Sequence, residues 1–359
     1  MTGSPADVVL DLALQGGGAH GAFTWGVLDR LLDEKRVRCA AVSGASAGAI
    51  NAVVMADGLL GGGPQGAQRA LWAFWKRISR AAHDRPSNNP FQALFLPDWM
   101  NPSPWSSLGP WAATMAYWSD ATRAFARIYS PYQWNPLNLN PLLDLMTDQI
   151  DFEGLRSSAS IRLFISATSV KTGGLRIFRN HELTPRAVMA SACLPHVFQA
   201  VEIDGEAYWD GGYLGNPALL PLISESEPED LLVVQLNPPV RNEKPRSMGG
   251  ISARLNEITF NASLMKELKG IALLKQALDE ENLAHHFRHP LFNQVRHLRL
   301  HRIAAEETAF QLDMKSKLDV EWECLIRLHG LGARAAEEWL RRHRDDLGRR
   351  SSLNADALA

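Results

Sequence analysis

Apolar residues in this chain come in two alternating periods. Val8-Val9-Leu10-Asp11-Leu12-Ala13-Leu14 is a nearly unbroken apolar run of strand length, whereas Ala22 to Leu32 places Phe23, Val27, Leu28, Leu31 and Leu32 at the spacing of one helix face. The alternation recurs downstream. Ala40-Ala41-Val42-Ser43 predicts a short buried strand, Ala47 to Met55 a helix buried on most sides, and Ile161 to Thr168 and Leu231 to Leu236 two further strands. Ala200 to Gly212 reads as a hairpin turning at Asp204-Gly205. Short apolar strands separated by helices predict a mainly parallel central sheet covered on both faces, a three-layer α/β/α sandwich. This pattern spans residues 8–237. A charged, proline-containing stretch over 238–250 then leads into a mainly helical region over 250–345. That region reads as a helix over 251–287, an extra strand over 295–303, and helices near 320–329 and 333–342.

One stretch breaks the rhythm. Over 84–140 the composition shifts to Pro, Trp, Asn and Ser, which excludes a single regular element. Its place between two core elements predicts a cap insertion over the site, lined by Trp99, Trp105, Trp111 and Trp118, with Trp105 and Trp111 as candidate substrate contacts. Tryptophans suit a lipid–water boundary, and they equally suit packing of the insertion onto the core.

The chemistry gathers at the strand ends. Gly44-Ala45-Ser46-Ala47-Gly48 is a G-x-S-x-G sequence between a predicted strand and a predicted helix, the context in which such a serine stands exposed on a tight turn. Gly44 and Gly48 let strand and helix approach closely. A turn serine that only caps a core helix fits the pentapeptide as well. Upstream, Gly16-Gly17-Gly18-Ala19-His20-Gly21 joins the first strand to the first helix, where backbone N–H groups and the helix dipole favour an anion. Gly16-x-Gly18-x-x-Gly21 satisfies the dinucleotide pattern, but no Asp or Glu stands at the end of the second strand to hold a ribose. The other anion that such a turn can hold is the oxyanion of an acyl intermediate, and a turn with a purely structural role fits the glycines too.

The third element is Asp210-Gly211-Gly212 at the end of the hairpin, an acid where the backbone turns away sharply. These three motifs, in this order and spacing, resemble those of the patatin-like phospholipase family in its bacterial form. The segment Ala190-Ser191-Ala192-Cys193-Leu194-Pro195-His196-Val197-Phe198 resembles the one ahead of the family's aspartate, so that the likeness covers about residues 8–237. The resemblance implies a Ser46–Asp210 dyad, with Asp210 taking the serine proton directly, an oxyanion hole of N–H groups from Gly16, Gly17, Gly18 and Ala19 together with Ala47, and Gly21, Gly44, Gly48, Gly211 and Gly212 as supporting positions. Where the family often has Arg or Lys, this chain has His20, a candidate substrate contact whose charge depends on pH. A histidine base would give a triad instead, and His196, which borders the expected pocket, is its best candidate.

Composition narrows the classes further. The 359 residues are 46% hydrophobic and 21% charged with a net charge of −2, which gives no electrostatic basis for nucleic-acid binding. Cys39, Cys193 and Cys324 lie in unrelated contexts and form no disulfide framework, so the default compartment is the cytoplasm, with peripheral membrane contact if the substrate is a membrane lipid. Met1 to Ala6 lacks the pattern of a signal peptide, and no apolar window is long enough to span a bilayer. No metal-ligand spacing occurs, and no cofactor is expected. The reading is acyl-ester hydrolysis, of phospholipase or lysophospholipase type by resemblance. A carboxylesterase, polyester depolymerase or acyltransferase would share the chemistry, and a non-catalytic lipid-binding module would keep the fold without turnover.

Overall fold

The computed structural model describes residues 8–83, 130–226, 229–241, 244–280, 288–305, 317 and 319–353. The four cap tryptophans Trp99, Trp105, Trp111 and Trp118 lie outside the described residues. The strands are β1 (Val8–Leu14), β2 (Val37–Gly44), β3 (Arg162–Ser169), β4 (Leu175–Arg179), β5 (Val201–Ile203), β6 (Glu206–Asp210), β7 (Asp230–Gln235) and β8 (Arg299–Ala304). They form one sheet in the order β5-β6-β3-β2-β1-β7-β8, with β4 also paired to β3. The pairings β3–β2–β1–β7–β8 are parallel, whereas β4 and β6 run antiparallel to β3, and β5 antiparallel to β6.

Helices α1 (Gly21–Leu32), α2 (Ala47–His83), α3 (Pro141–Gln149), α4 (Phe152–Ser157), α5 (Pro185–Ser191), α6 (Met248–Glu280), α7 (Pro290–His297) and α8 (Trp322–His343) cover the two faces. The two-residue alternation of strand side chains divides the core between them. Leu10, Leu12 and Leu14 face Phe23, Val27 and Leu28 of α1 and Val53 of α2, whereas Ala13, Leu231 and Val233 face Leu264, Leu268 and Ile271 of α6. Helices on both faces of a mainly parallel sheet make the expected three-layer α/β/α sandwich.

Four elements differ from expectation, one of them the strand expected over 295–303, which starts only at Arg299 because Pro290–His297 forms α7. The short helix predicted over 47–55 runs on as α2 to His83, broken only where Gly62 and Gly63 leave helical geometry. β4 was not marked by the sequence pattern. The two helices expected near 320–329 and 333–342 are one, α8, in which Gly332 serves packing rather than termination. A Cβ on Gly332 would stand 1.9 Å from the carbonyl oxygen of Phe23, and one on Gly26 would stand 1.9 Å from that of His329. Glycine against backbone on both sides lets α1 and α8 touch closely.

The arrangement that positions the site is the sharing of β3. Its first half pairs in parallel with β2, ending at Gly44 opposite Ile165, and its second half pairs antiparallel with β6, where Asp210 stands opposite Ala167. Two strands running toward each other therefore end within two residues on a common ruler. Ser166, between those positions, donates its hydroxyl to the carbonyls of Gly44 (3.1 Å) and Gly215 (2.7 Å) and so binds both ends.

Asp11 is the polar interruption of β1 and sits where the β1–β2 register shifts between Leu10 and Leu12. It is buried, with no hydrogen-bond partner on either carboxylate oxygen. Burial pushes its pKa up to about 6 from 3.8, only partly offset by Ser226, the Ala41 N–H and the Arg162 guanidinium. A folded-state value above the unfolded one means that ionised Asp11 opposes folding above about pH 6 and that this cost fades as pH falls toward the unfolded value. Asp11→Asn is expected to gain up to about 3 kcal/mol in urea unfolding near pH 8 and to lose most of that gain near pH 4.5.

Candidate active site

Ser46 stands two residues past the end of β2 and immediately before α2, in a left-handed conformation with φ of 53°. For a residue with a side chain that conformation is strained, and it persists because its surroundings fix it. The Ser46 N–H donates to Ser191 Oγ at 2.9 Å, and the Ser46 carbonyl accepts from the Ile50 N–H at 3.1 Å. A Cβ on Gly48 would lie 2.1 Å from the Leu14 carbonyl oxygen, so that strand-to-helix closeness depends on glycine there. Ser191, buried at the end of α5, is a residue that sequence reasoning missed. Its signals are a hydroxyl in an otherwise apolar Met189-Ala190-Ser191-Ala192 run and its place in the segment that resembles the one ahead of the family's aspartate.

The glycine turn lies against the elbow. A Cβ on Gly16 would stand 2.7 Å from Ser46 Cβ and 2.6 Å from the Ala45 carbonyl oxygen, and one on Gly21 would stand 2.8 Å from Ala47 Cβ. Gly18 has φ of 62°, a left-handed geometry suited to glycine. The N–H groups of Gly17, Gly18, Ala19 and Ala47 bond to no other described residue. Gly16 departs from its expected role. Its N–H donates to Asn216 Oδ1 at 2.7 Å and is therefore already engaged.

Polar side chains hold this turn from behind. Gln15 Oε1 accepts from the N–H groups of Leu236 and Asn237, both at 2.8 Å, and Gln15 Nε2 donates to Asn261 Oδ1 at 2.8 Å. Asn237 Nδ2 donates to the Gly16 carbonyl at 3.3 Å and Asn237 Oδ1 accepts from Lys317 Nζ at 2.6 Å. Burial lowers the Lys317 pKa to about 8. Asn51 Nδ2 reaches the Gly21 carbonyl at 2.9 Å while its Oδ1 accepts from Trp75 Nε1 at 3.0 Å. Asn216, Asn237, Asn261, Asn51 and Lys317 were not marked in the sequence, because each lies in a segment that has no motif of its own.

Asp210 is fully buried at the end of β6. Its N–H donates to the Cys193 carbonyl at 2.8 Å and its carbonyl accepts from Thr168 Oγ1 at 2.8 Å. Oδ1 accepts from the Gly212 N–H at 2.7 Å, and Oδ2 has no hydrogen-bond partner. Burial raises the pKa to about 7 from 3.8; the Gly212 N–H and the neighbouring Ser46 hydroxyl oppose that rise, with no histidine among the groups acting on it. Gly211 and Gly212 are confined as well, for their Cβ atoms would meet the Ser166 carbonyl oxygen at 2.0 Å and Phe260 Cε1 at 2.4 Å.

Two expected contacts differ in exposure. His20 is fully buried in the turn that opens α1, and His196 is exposed on the loop after α5. Trp105 and Trp111 fall outside the described residues.

The molecule is thus a layered α/β protein in which a strained serine faces a lone buried carboxylate beside unengaged backbone N–H groups. The chain belongs to the patatin-like phospholipase family, whose model matches residues 12–223, a span that contains every motif above, and its fold is the patatin fold. No curated protein matches the chain. Among solved structures, VipD from Legionella pneumophila aligns over 95% of this chain and 68% of its own, at 14% identity and a TM-score of 0.42. Full-length ExoU of the Pseudomonas aeruginosa type III secretion system, in complex with full-length SpcU, aligns over 94% of this chain at 14% identity and a TM-score of 0.29. The chain spans 53% of that protein. A second ExoU–SpcU structure aligns at 16% identity and a TM-score of 0.29, over 94% of this chain and 76% of the other.

Because Gly16 abuts the serine itself, Gly16→Ala is expected to displace Ser46 and to lower kcat on a soluble ester by about 10²-fold or more. Circular dichroism should show the fold retained.

Proposed function

We propose that this protein is a serine acyl-ester hydrolase acting on phospholipids or lysophospholipids, with Ser46 as nucleophile and Asp210 as the general base. The observation that carries the reading is Asp210 Oδ2, a buried carboxylate oxygen without a partner, next to a serine on a strained elbow. A carboxylate in water is too weak a base for a hydroxyl. Desolvation brings Asp210 to about 7, near a working pH.

In the first step Ser46 Oγ bonds to the ester carbonyl carbon and its proton passes to Asp210 Oδ2. The carbonyl oxygen becomes an oxyanion, held by N–H groups of Gly17, Gly18 and Ala19 with Ala47. Collapse breaks the ester C–O bond and the departing alkoxide takes the proton from Asp210. Water then attacks acyl-Ser46, giving its proton to Asp210 in turn, and the acid is released with Oγ protonated again. If another alcohol replaces water, the same cycle is acyl transfer. A carboxylesterase or polyester depolymerase would use identical steps on another ester. The Gly16 N–H takes no part, since Asn216 holds it.

The family supports lipid as the substrate class. No described helix is long and apolar enough to cross a membrane, so this reading has the protein reach lipid from one side. A non-catalytic lipid-binding module is the reading of another class, and a reactive Ser46 separates the two.

Fluorophosphonate labelling, mapped to the peptide, is expected at Ser46 and absent in Ser46→Ala. In Asp210→Asn, kcat should fall about 10³-fold with KM little changed. The base works only when ionised, so kcat/KM on a soluble ester should rise with pH through an apparent pKa near 7 and stay level above it. A native protein that neither labels nor hydrolyses phospholipid vesicles would favour the binding module.

A further inference from the structure

Helix α6 is apolar on two sides. Phe260, Leu264, Leu268 and Ile271 are buried toward the sheet. Met248, Ile251, Leu255 and Ile258, at i, i+3, i+7 and i+10, fall on roughly the opposite side at about 100° per residue. They are 71%, 37%, 59% and 50% exposed. Four large apolar side chains in a row on an open helix face are not explained by the core.

Where this face stands matters as much as its composition. The middle of α6 braces the site, since the Phe260 carbonyl accepts from Asn216 Nδ2, Asn261 Oδ1 from Gln15 Nε2 and Ser263 Oγ from the Asn216 N–H. Its later part runs toward the opposite edge of the sheet, where Lys275 bonds the Arg296 carbonyl near the start of β8. Residues 248–258 therefore project past the carboxyl ends of the strands, at the end of the molecule that holds Ser46 and Asp210, with Met248 about 18 Å beyond Phe260 along the axis.

Charge selects the occupant. The outward face continues through Ala262 to Lys266 and Lys269, and Lys244 and Arg246 lie exposed just before the helix. None of these four cations forms an ion pair with another described residue. The two carboxylates of the same stretch turn to the core side: Glu257 pairs with Arg241 at 2.6 Å and Arg254 at 3.1 Å, and Glu267 accepts from the N–H groups of Leu219 and Leu220 at 2.7 and 3.0 Å. Among the described residues from 244 to 269, in a protein of net charge −2, the apolar stripe is thus flanked by cations and by no outward carboxylate. A second copy of the chain, pairing this stretch about a two-fold axis, would set lysine against lysine with no outward carboxylate among the described residues from 244 to 269 to answer it.

We propose that the outward face of α6 docks this protein onto the anionic surface of a phospholipid bilayer, Met248, Ile251, Leu255 and Ile258 entering the boundary and Lys244, Arg246, Lys266 and Lys269 meeting lipid phosphates and carboxylates. Apolar side chains with flanking cations on one helix face are the chemistry of interfacial binding. The choice of occupant rests on the lipid-hydrolase reading; the surface does not. Docking by this face brings the elbow end of the sheet to the bilayer.

The test is co-sedimentation of the full chain with phosphatidylcholine vesicles made with and without phosphatidylserine. The wild type is expected to bind the phosphatidylserine vesicles more strongly and to lose that preference in high salt. The triple variant Ile251→Ser, Leu255→Ser, Ile258→Ser and the double variant Lys266→Glu, Lys269→Glu should each lower the partition coefficient about tenfold or more. Both should keep the wild-type Tm and turnover of a soluble short-chain ester. Unchanged partitioning in the triple variant, or no vesicle binding by the wild type, would overturn the proposal. So would a Tm drop of several degrees in the triple variant, which would show the face covered by the chain's own residues. A wild-type dimer that the triple variant converts to monomer would assign it to a second copy. Sedimentation needs no turnover, so vesicle binding by a protein whose Ser46 does not label would remove the hydrolase reading and leave the docking surface standing.

Discussion

Everything at the site depends on β3 being shared by two strands of opposite direction. β2 and β6 approach each other along its length and stop at Gly44 and Asp210, opposite Ile165 and Ala167. Backbone hydrogen bonds fix that separation more rigidly than a loop could, because a slip by one residue would turn every side chain to the other face. The Ser166 hydroxyl, bonded to the carbonyls of Gly44 and Gly215, joins the chain on either side of the gap. Ser46 and Asp210 are far apart in sequence, yet their distance is set by three strands that are buried where they meet, β3 along nearly its whole length. A site held by strand register needs no flexible segment to assemble it.

Strain and desolvation are both concentrated where those strands end. Ser46 occupies a left-handed conformation, and Asp210 is buried with an unpartnered oxygen. Each of these opposes folding by itself. What offsets them is the polar lattice behind the glycine turn, in which Gln15, Asn216, Asn237 and Asn261 satisfy backbone groups that would otherwise be orphaned in the interior. The same lattice explains why Gly16 differs from its neighbours in the run. Its N–H is consumed in holding the turn, which leaves the N–H groups of Gly17, Gly18 and Ala19 unengaged on the side where an anion would sit. Asp11 shows the contrast: it is buried too, and unpartnered too, but it stands inside β1, near the Cys39 thiol and not at a strand end.

The glycines and strand ends were legible because a backbone constraint writes itself into local sequence. Gly44, Gly48, Gly211 and Gly212 each abut backbone or a ring so closely that no side chain fits, and the turn at Asp204-Gly205 needs two left-handed residues. The alternation of strands and helices was legible for the same reason. Ser191, Asn216 and Lys317 were not, since a residue that reaches its partner through a side chain across 145 or 200 positions leaves no pattern near itself. Gly332 was misleading for a related reason. A glycine within a helix reads as a break, and only the position of α1 reveals that it is an approach. The outward face of α6 escaped notice because its apolar positions merge in sequence with those of the core face, so that the helix reads as generally apolar rather than as two stripes.

That double stripe ties surface and site together mechanically. Phe260, Asn261 and Ser263 brace Gly212, Gln15 and Asn216 from one turn of α6, and the exposed residues up to Ile258 lie on the turns just before it. A force applied to the open face is carried along a continuous helix to the residues that hold the glycine turn and the Asp210 loop. Helices are stiff over such lengths, and the core stripe beyond Leu264 anchors the far end in the sheet. Docking through this face would therefore act on the geometry of the serine elbow and its carboxylate without any intervening hinge. On the proposed reading, in which Asp210 serves as a base only while it is kept dry, seating the site against a lipid boundary and excluding water from it are parts of the same event.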